Sequence, residues 1–235
     1  MSSHAGSWWS FPRDAVTDVS RETPSTPELA RGAFSSDRLP LAERYVELLA
    51  TAGVERGLIG PRETPRLWER HVLNCLALSG AVPHDASVAD LGSGAGLPGL
   101  VLAIGRPDLS VTLVEPLLRR TVFLDEVVAD LGLDRVSVVR GRAEELHGVR
   151  QFEVVTARAL APLSRLLGWA MPLVAPAGEL VAMKGSSAER EIEEAATVLR
   201  RLRCAAPVVE QLVADDGEST GTVVRVAHAD RARLR

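Results

Sequence analysis

Cysteine is scarce. Two thiols in 235 residues, Cys75 and Cys204, give neither a disulfide framework nor a metal-ligand spacing. Both are expected to be reduced, in a cytoplasmic protein. An excess of basic charge is also missing, since 27 Lys and Arg face 31 Asp and Glu for a formal net charge of −4. That excludes a chain coated in positive charge for indiscriminate nucleic-acid binding and leaves room for a local basic patch. No apolar run approaches the roughly 20 residues that span a bilayer. A basic start followed by an apolar stretch is absent too, so neither a membrane partner nor a signal peptide is expected. Aromatic residues make up 4% of the chain, with a single tyrosine, Tyr45. The core must therefore be built from Ala, Val and Leu. No Cys/His cluster suggests a metal, and no nucleophile–base pair suggests covalent catalysis, so no catalytic side chain and no metal are assigned.

What the chain does have is glycine in one place. Residues 87–99 read SVADLGSGAGLPG. The apolar run 88–91, with Asp90 near its end, is expected to be a buried strand. Gly92, Gly94, Gly96 and Gly99 then make a turn, and a helix is expected from residue 97 to about 105. Glycine reaches positive φ and lets a ligand approach the backbone. The helix start is expected to point its free N–H groups at the turn. The place suits a nucleotide-like ligand.

The remaining chain is expected to fall into four parts. Residues 1–33, rich in Ser, Thr, Pro and charge, read as a disordered extension interrupted by Trp8, Trp9 and Phe11. Residues 34–82 read as a helical cap. In it, Leu41, Tyr45, Leu48 and Leu49 share one helix face, and a second helix is expected after an N-cap at Thr64 with Pro65 at its first position. Residues 83–229 alternate strand and helix. Strands are expected at 88–91, 110–115, 136–139, 152–156 and 179–183, with a turn at Pro176-Ala177-Gly178. Residues 206–213 and 220–227 read as an antiparallel hairpin across the polar loop Asp215-Asp216-Gly217-Glu218. Residues 230–235 are a basic tail. The alternation predicts an α/β fold: a mostly parallel, seven-stranded sheet ending in an antiparallel hairpin, with helices on both faces. Right-handed crossovers put every parallel strand's carboxyl end on one edge, where ligands bind.

Asp90 and the glycines, Glu115, residues 141–144, Arg158 and Lys184 should converge at that edge. Glu115, 23 positions after Gly92, could accept hydrogen bonds from both hydroxyls of a ribose, or could cap the following helix. Ala143 and Glu144 fall where an adenine would lie. Gly94–Gly99 matches the G-x-G-x-x-G dinucleotide pattern. Counted from Gly92, however, Leu97 stands where the third glycine belongs, which favours S-adenosylmethionine over a diphosphate cofactor. No tetrapeptide of the N/D-P-P-aromatic kind follows the fourth strand, where Thr156-Ala157-Arg158-Ala159 stands instead. Arg158 and Lys184 are either paired with the protein or in contact with a carboxylate, a phosphate or a guanine edge.

These motifs together resemble a known family. They are Val88–Gly99, Arg106-Pro107, Arg119-Arg120-Thr121-Val122-Phe123-Leu124, Thr156-Ala157-Arg158-Ala159-Leu160-Ala161 and Met183-Lys184-Gly185, with Arg70-His71-Val72-Leu73-Asn74 upstream. The combination is similar to the bacterial small-subunit ribosomal RNA guanine-N7 methyltransferase G family, also called glucose-inhibited division protein B. Two departures stand out: residues 58–62 replace an Asn-Leu-Thr segment, and Asn74 replaces an aspartate. The resemblance implies a Rossmann-like class I methyltransferase that moves the methyl of S-adenosylmethionine to N7 of one guanine in a loop of 16S ribosomal RNA. It implies cosubstrate contacts from Gly92, Gly94, Gly96, Leu97, Glu115, Ala143, Glu144 and Arg158. RNA contacts are expected from Arg119, Arg120, Arg158 and Lys184, with Arg140, Arg142 and Arg165 adding to the patch. Naked RNA or the assembled small subunit would be the partner, and the enzyme is expected to be a monomer. A methyltransferase of small molecules or proteins, a dehydrogenase and a non-catalytic S-adenosylmethionine sensor remain as alternatives at this point.

Overall fold

The computed structural model describes residues 23–213 and 219–229. Trp8, Trp9, Phe11, the loop 215–218 and the tail 231–235 lie outside the described residues. Seven strands form one sheet in the order β3-β2-β1-β4-β5-β7-β6. They are β1 (Ser87–Leu91), β2 (Ser110–Glu115), β3 (Val136–Arg140), β4 (Phe152–Arg158), β5 (Val174–Lys184), β6 (Val208–Val213) and β7 (Ser219–Ala227). The first five run parallel, and β6 and β7 form the antiparallel hairpin, with β7 also antiparallel to β5.

Both faces of the sheet are covered, which is why its strands read as continuous apolar runs. On one face Val88, Val111, Leu113, Val154 and Val181 pack with α4 (Gly99–Gly105), α5 (Leu118–Leu131) and the amino-terminal helices. On the other, Ala89, Val114, Val155, Leu180 and Ala182 meet α6 (Leu163–Ala170) and α7 (Ala188–Arg201). The strand period of two divides neighbours such as Val154 and Val155 between the two cores.

Four local expectations are revised. The chain is already helical and packed before residue 34: α1 (Glu28–Ala33) buries Ala30, and the Trp68 indole donates to the Pro24 carbonyl at 3.3 Å. After α2 (Leu39–Leu48) and a π-helical turn to Gly53, the second helix starts at Pro61, not Thr64. It runs as a 3₁₀ turn (Pro61–Arg66), a π-helical stretch (Leu67–Leu73), the short α3 (Asn74–Leu76) and a second 3₁₀ turn (Ala77–Ala81). Pro65 inside the first turn has no N–H to give an α-helical ladder. The expected turn at residues 176–178 is part of β5, which begins at Val174. The pairing of β4 with β5 shifts register between Phe152 and Val154, and a Cβ on Gly178 would fall 2.6 Å from the Glu153 carbonyl. Only glycine lets the two backbones close there, and an irregular pairing tolerates the adjoining proline. Finally, α4 begins at Gly99, two residues later than expected, because the positive φ of Gly94 (59°) and Gly96 (101°) belongs to a turn.

Candidate active site

The carboxyl ends of the parallel strands carry two neighbouring cavities. The smaller, about 160 Å3, lies over β1 to β3 and is lined by Leu91, Gly92, Val114, Ala143, Glu144 and Trp169 among others. The larger, about 540 Å3, lies over β4 and β5 and includes Asn74, Arg158, Met183, Lys184, Glu191 and Thr222 in its wall. Leu160 lines both. Its side chain rests against Gly92, where a Cβ would collide with it. The preceding residue, Ala159, holds a positive φ of 50° that turns the chain sharply out of β4.

The glycine loop is held from below by carboxylates. Asp90 is fully buried, and its Oδ2 accepts from the Gly99 N–H at 3.1 Å, so the start of α4 is capped by protein instead of being open to a ligand. A Cβ at Gly99 would strike Leu113 and this carboxylate. Burial raises the Asp90 pKa to about 7, against the opposing pull of the Gly99 N–H and Ser93. Its other oxygen, Oδ1, has no protein partner. Glu115 is also buried: Oε2 accepts from Gly94 N at 3.0 Å and from Arg120 Nη1 at 3.3 Å, and Oε1 accepts from Leu117 N at 3.1 Å. The helix-start role is therefore visible. A ribose would need Arg120 to swing aside before both its hydroxyls could reach this carboxylate. Ala143 and Glu144 sit on a 3₁₀ turn (Ala143–Leu146) in the wall of the smaller cavity, as the topology required.

Of the two readings open for Arg158 and Lys184, the structure shows pairing with the protein. Arg158 reaches the strand edge, but its guanidinium turns to the helical cap, donating to Cys75 Sγ (3.1 Å), the Arg70 carbonyl (3.2 Å) and His71 Nδ1 (2.8 Å). His71 in turn meets Glu63 at 2.8 Å, and burial draws its pKa below the usual histidine value. Lys184 Nζ donates to the Ala161 carbonyl and to Glu191 Oε2, both at 2.7 Å, and its side chain is only 9% exposed. Burial pushes the Glu191 carboxyl up, but Lys184, the Leu163 N–H and Ser187 outweigh it and hold it below its ordinary value. Neither Lys184 nor Arg120 is thus an unpaired cation, while Arg119, Arg140, Arg142 and Arg165 are exposed. Leu97 is half-buried against the cap-side core and outside the lining of both cavities, so only its backbone belongs to the loop.

Several site residues gave no local signal in the sequence. Trp169 reaches the smaller cavity from α6, and Gly221 and Thr222 reach the larger one because β7 pairs Lys184 with Thr222. Only the tertiary pairing brings them there.

A parallel sheet with a terminal antiparallel hairpin, a glycine turn after β1 and a carboxylate ending β2 define a class I methyltransferase. Solved structures share the fold. An O-methyltransferase from Bacillus cereus in complex with SAH aligns with a TM-score of 0.54 at 13% identity, over 84% of this chain and 99% of that one. A ribosomal protein L11 methylase from Lactobacillus delbrueckii subsp. bulgaricus aligns with a TM-score of 0.50 at 18% identity, over 66% and 76%. The sequence profile of rRNA small subunit methyltransferase G matches residues 38–216. The ribosomal RNA small subunit methyltransferase G of a Nocardioides species is 68% identical over 217 residues, 92% of this chain and 87% of that protein. The protein of the same name from Streptomyces avermitilis is 58% identical over 87% and 86%. The chain belongs to the rRNA small subunit methyltransferase G family and uses S-adenosylmethionine. The residues present fit that cosubstrate: the smaller cavity is apolar enough for an adenine, and at Gly92, in its wall, a Cβ would strike Leu160, the residue that lines both cavities. Among the described residues no helix is long and apolar enough to cross a membrane.

Proposed function

We propose that this protein moves the methyl group of S-adenosylmethionine to N7 of a single guanine in a loop of 16S ribosomal RNA, as a cytoplasmic monomer. The observation that carries the reading is the pair of cavities meeting at Leu160 beside Gly92. One suits an adenosine and the other has the volume for a nucleobase. When bound, S-adenosylmethionine supplies a methyl group on a sulfonium.

The protein's share of the chemistry is alignment and exclusion of water. Guanine N7 carries a lone pair and no proton, so no side chain has to act as a base; holding N7 in line with the methyl carbon is the main demand. The backbone of Gly92, Gly94, Gly96 and Leu97 shapes the passage, Ala143 and Glu144 border the adenine, and Glu115 takes the ribose as Arg120 moves off it. On the other side Lys184, fixed by Glu191 and the Ala161 carbonyl, faces the base with Asn74 and Thr222. Arg158 serves the base through its hold on the cap. N7 of a paired guanine lies in the deep, narrow major groove of A-form RNA, beyond the reach of side chains, so the target must be in a loop or flipped out. Arg119, Arg140, Arg142 and Arg165 then contact phosphates.

The test is transfer of labelled methyl from S-adenosylmethionine to small ribosomal subunits. Subunits from cells lacking this gene should accept label at one guanine N7, and subunits from wild-type cells should not. Cosubstrate binding without transfer to either would contradict the RNA reading.

A further inference from the structure

The glycine loop is touched by a residue to which neither the motif nor the chemistry gives a task. Tyr45, the only tyrosine in the chain, sits on α2 with none of its surface exposed. Its hydroxyl donates to the Ala95 carbonyl at 2.8 Å. Ala95 lies between Gly94 and Gly96, whose φ angles are 59° and 101°. The glycines that flank Ala95 give the backbone there no torsional preference for one conformation, so its contacts choose it: Glu115 holds Gly94 N, the Ser93 carbonyl holds Gly96 N, and Tyr45 holds the carbonyl between them. A Cβ at Gly96 would strike the Leu100 side chain and come within 3.1 Å of the same hydroxyl. The phenol is therefore the partner of the loop's middle carbonyl and, with Leu100, part of the surface against which Gly96 closes. Burial, reinforced by nearby Cys75 and Asp90, pushes the Tyr45 pKa well above its ordinary value, so the hydroxyl keeps its proton and stays a donor.

We infer that Tyr45 is a positioning residue for the methyl donor: through the Ala95 carbonyl it fixes the glycine loop in its ligand-ready conformation and makes the helical cap part of the cosubstrate site. This rests on the reading of the loop as the S-adenosylmethionine site and is independent of the RNA. A loop freed from its tether must be ordered at each binding event, and that cost falls on affinity instead of on the transfer step.

The experiment is calorimetric titration of the full chain with S-adenosylhomocysteine, without RNA, for the native protein, Tyr45→Phe and Val46→Ala. Val46 is the next residue of α2, equally buried in the cap core. Tyr45→Phe should bind about tenfold more weakly, with KM for S-adenosylmethionine raised and kcat at saturation within about twofold. Val46→Ala should lose stability and keep native affinity. Equal affinity of Tyr45→Phe and native protein would overturn the inference, as would the same loss in both variants. Should Tyr45→Phe not fold, 3-fluorotyrosine incorporation labels this one position. Its fluorine resonance should then move with S-adenosylhomocysteine along the binding isotherm, and an unmoved resonance at saturation would overturn the inference equally. Failure of the RNA methylation test would remove the kinetic reading and leave the calorimetric and fluorine readings intact.

Discussion

At the carboxyl end of β1 the ligand side of the chain is backbone. Gly92, Gly94 and Gly96 take positive φ, and the charged groups there, Asp90 and Glu115, lie underneath and hold amides. At the carboxyl ends of β4 and β5 the ligand side is made of long cationic and polar side chains, and these are already engaged by the protein: Arg158 with the cap, Lys184 with Glu191. The first arrangement presents a fixed shape to a ligand that enters unaided. The second keeps its charges compensated until a polyanion arrives. Arg119, Arg140, Arg142 and Arg165 are exposed, in a chain whose net charge is −4.

Substitutions on the two sides should fail in different ways. The largest effect is expected from Gly96→Val. The new side chain would strike Leu100 and crowd the Tyr45 hydroxyl, and φ of 101° is foreign to a β-branched residue. Displacing the loop by an ångström should cut kcat/KM for S-adenosylmethionine by about 100-fold or more, measured by methyl transfer, and abolish S-adenosylhomocysteine binding. A Gly96→Val enzyme with native affinity would erase the distinction between a backbone side and a side-chain side.

Lys184→Met comes next. It leaves Glu191 in a half-buried site without its cation and should cost about 3 kcal/mol of stability, read by urea unfolding, while cosubstrate affinity stays native. Adding Glu191→Leu should restore part of the loss, because the unpaired carboxylate goes too. A single variant as stable as the native protein would mean that Lys184 is not compensated by Glu191.

The third effect is a pH dependence. The Asp90 pKa is raised from 3.8 to about 7 in the folded protein, so between those values the folded state binds more protons than the unfolded one and stability falls as pH rises. The native protein should therefore lose stability from about pH 4 to about pH 7 relative to Asp90→Asn, whose neutral side chain still accepts from Gly99 N. Parallel stability curves for the two would contradict the burial of that carboxylate.

How much could be read beforehand follows the same division. The glycine turn and β2 (Ser110–Glu115) were legible because local patterns specify them: a run of glycines, and an apolar run ending in a carboxylate. The start of β5 was not, because Pro176 and Gly178 read as a turn until β4 is there to form the irregular pairing. The helix expected from Thr64 onward is an irregular one from Pro61 to Ala81, whose apolar spacing hides the 3₁₀ and π-helical turns. Sequence placed Arg158 and Lys184 at the right edge, yet it could not say that Cys75, His71 and Glu191 would meet them across long separations. The tie from Tyr45 to Ala95 spans 50 residues and left no local trace at all.

A crystal structure with S-adenosylhomocysteine bound tests the two-cavity account most directly. The account predicts the adenine between Ala143–Glu144 and Trp169, the sulfur beside Gly92 with Leu160 moved off that glycine, and an open path from the sulfur to Lys184 across the larger cavity. An adenine lodged in the cavity over β4 and β5, or a sulfur walled off from it, would contradict the account.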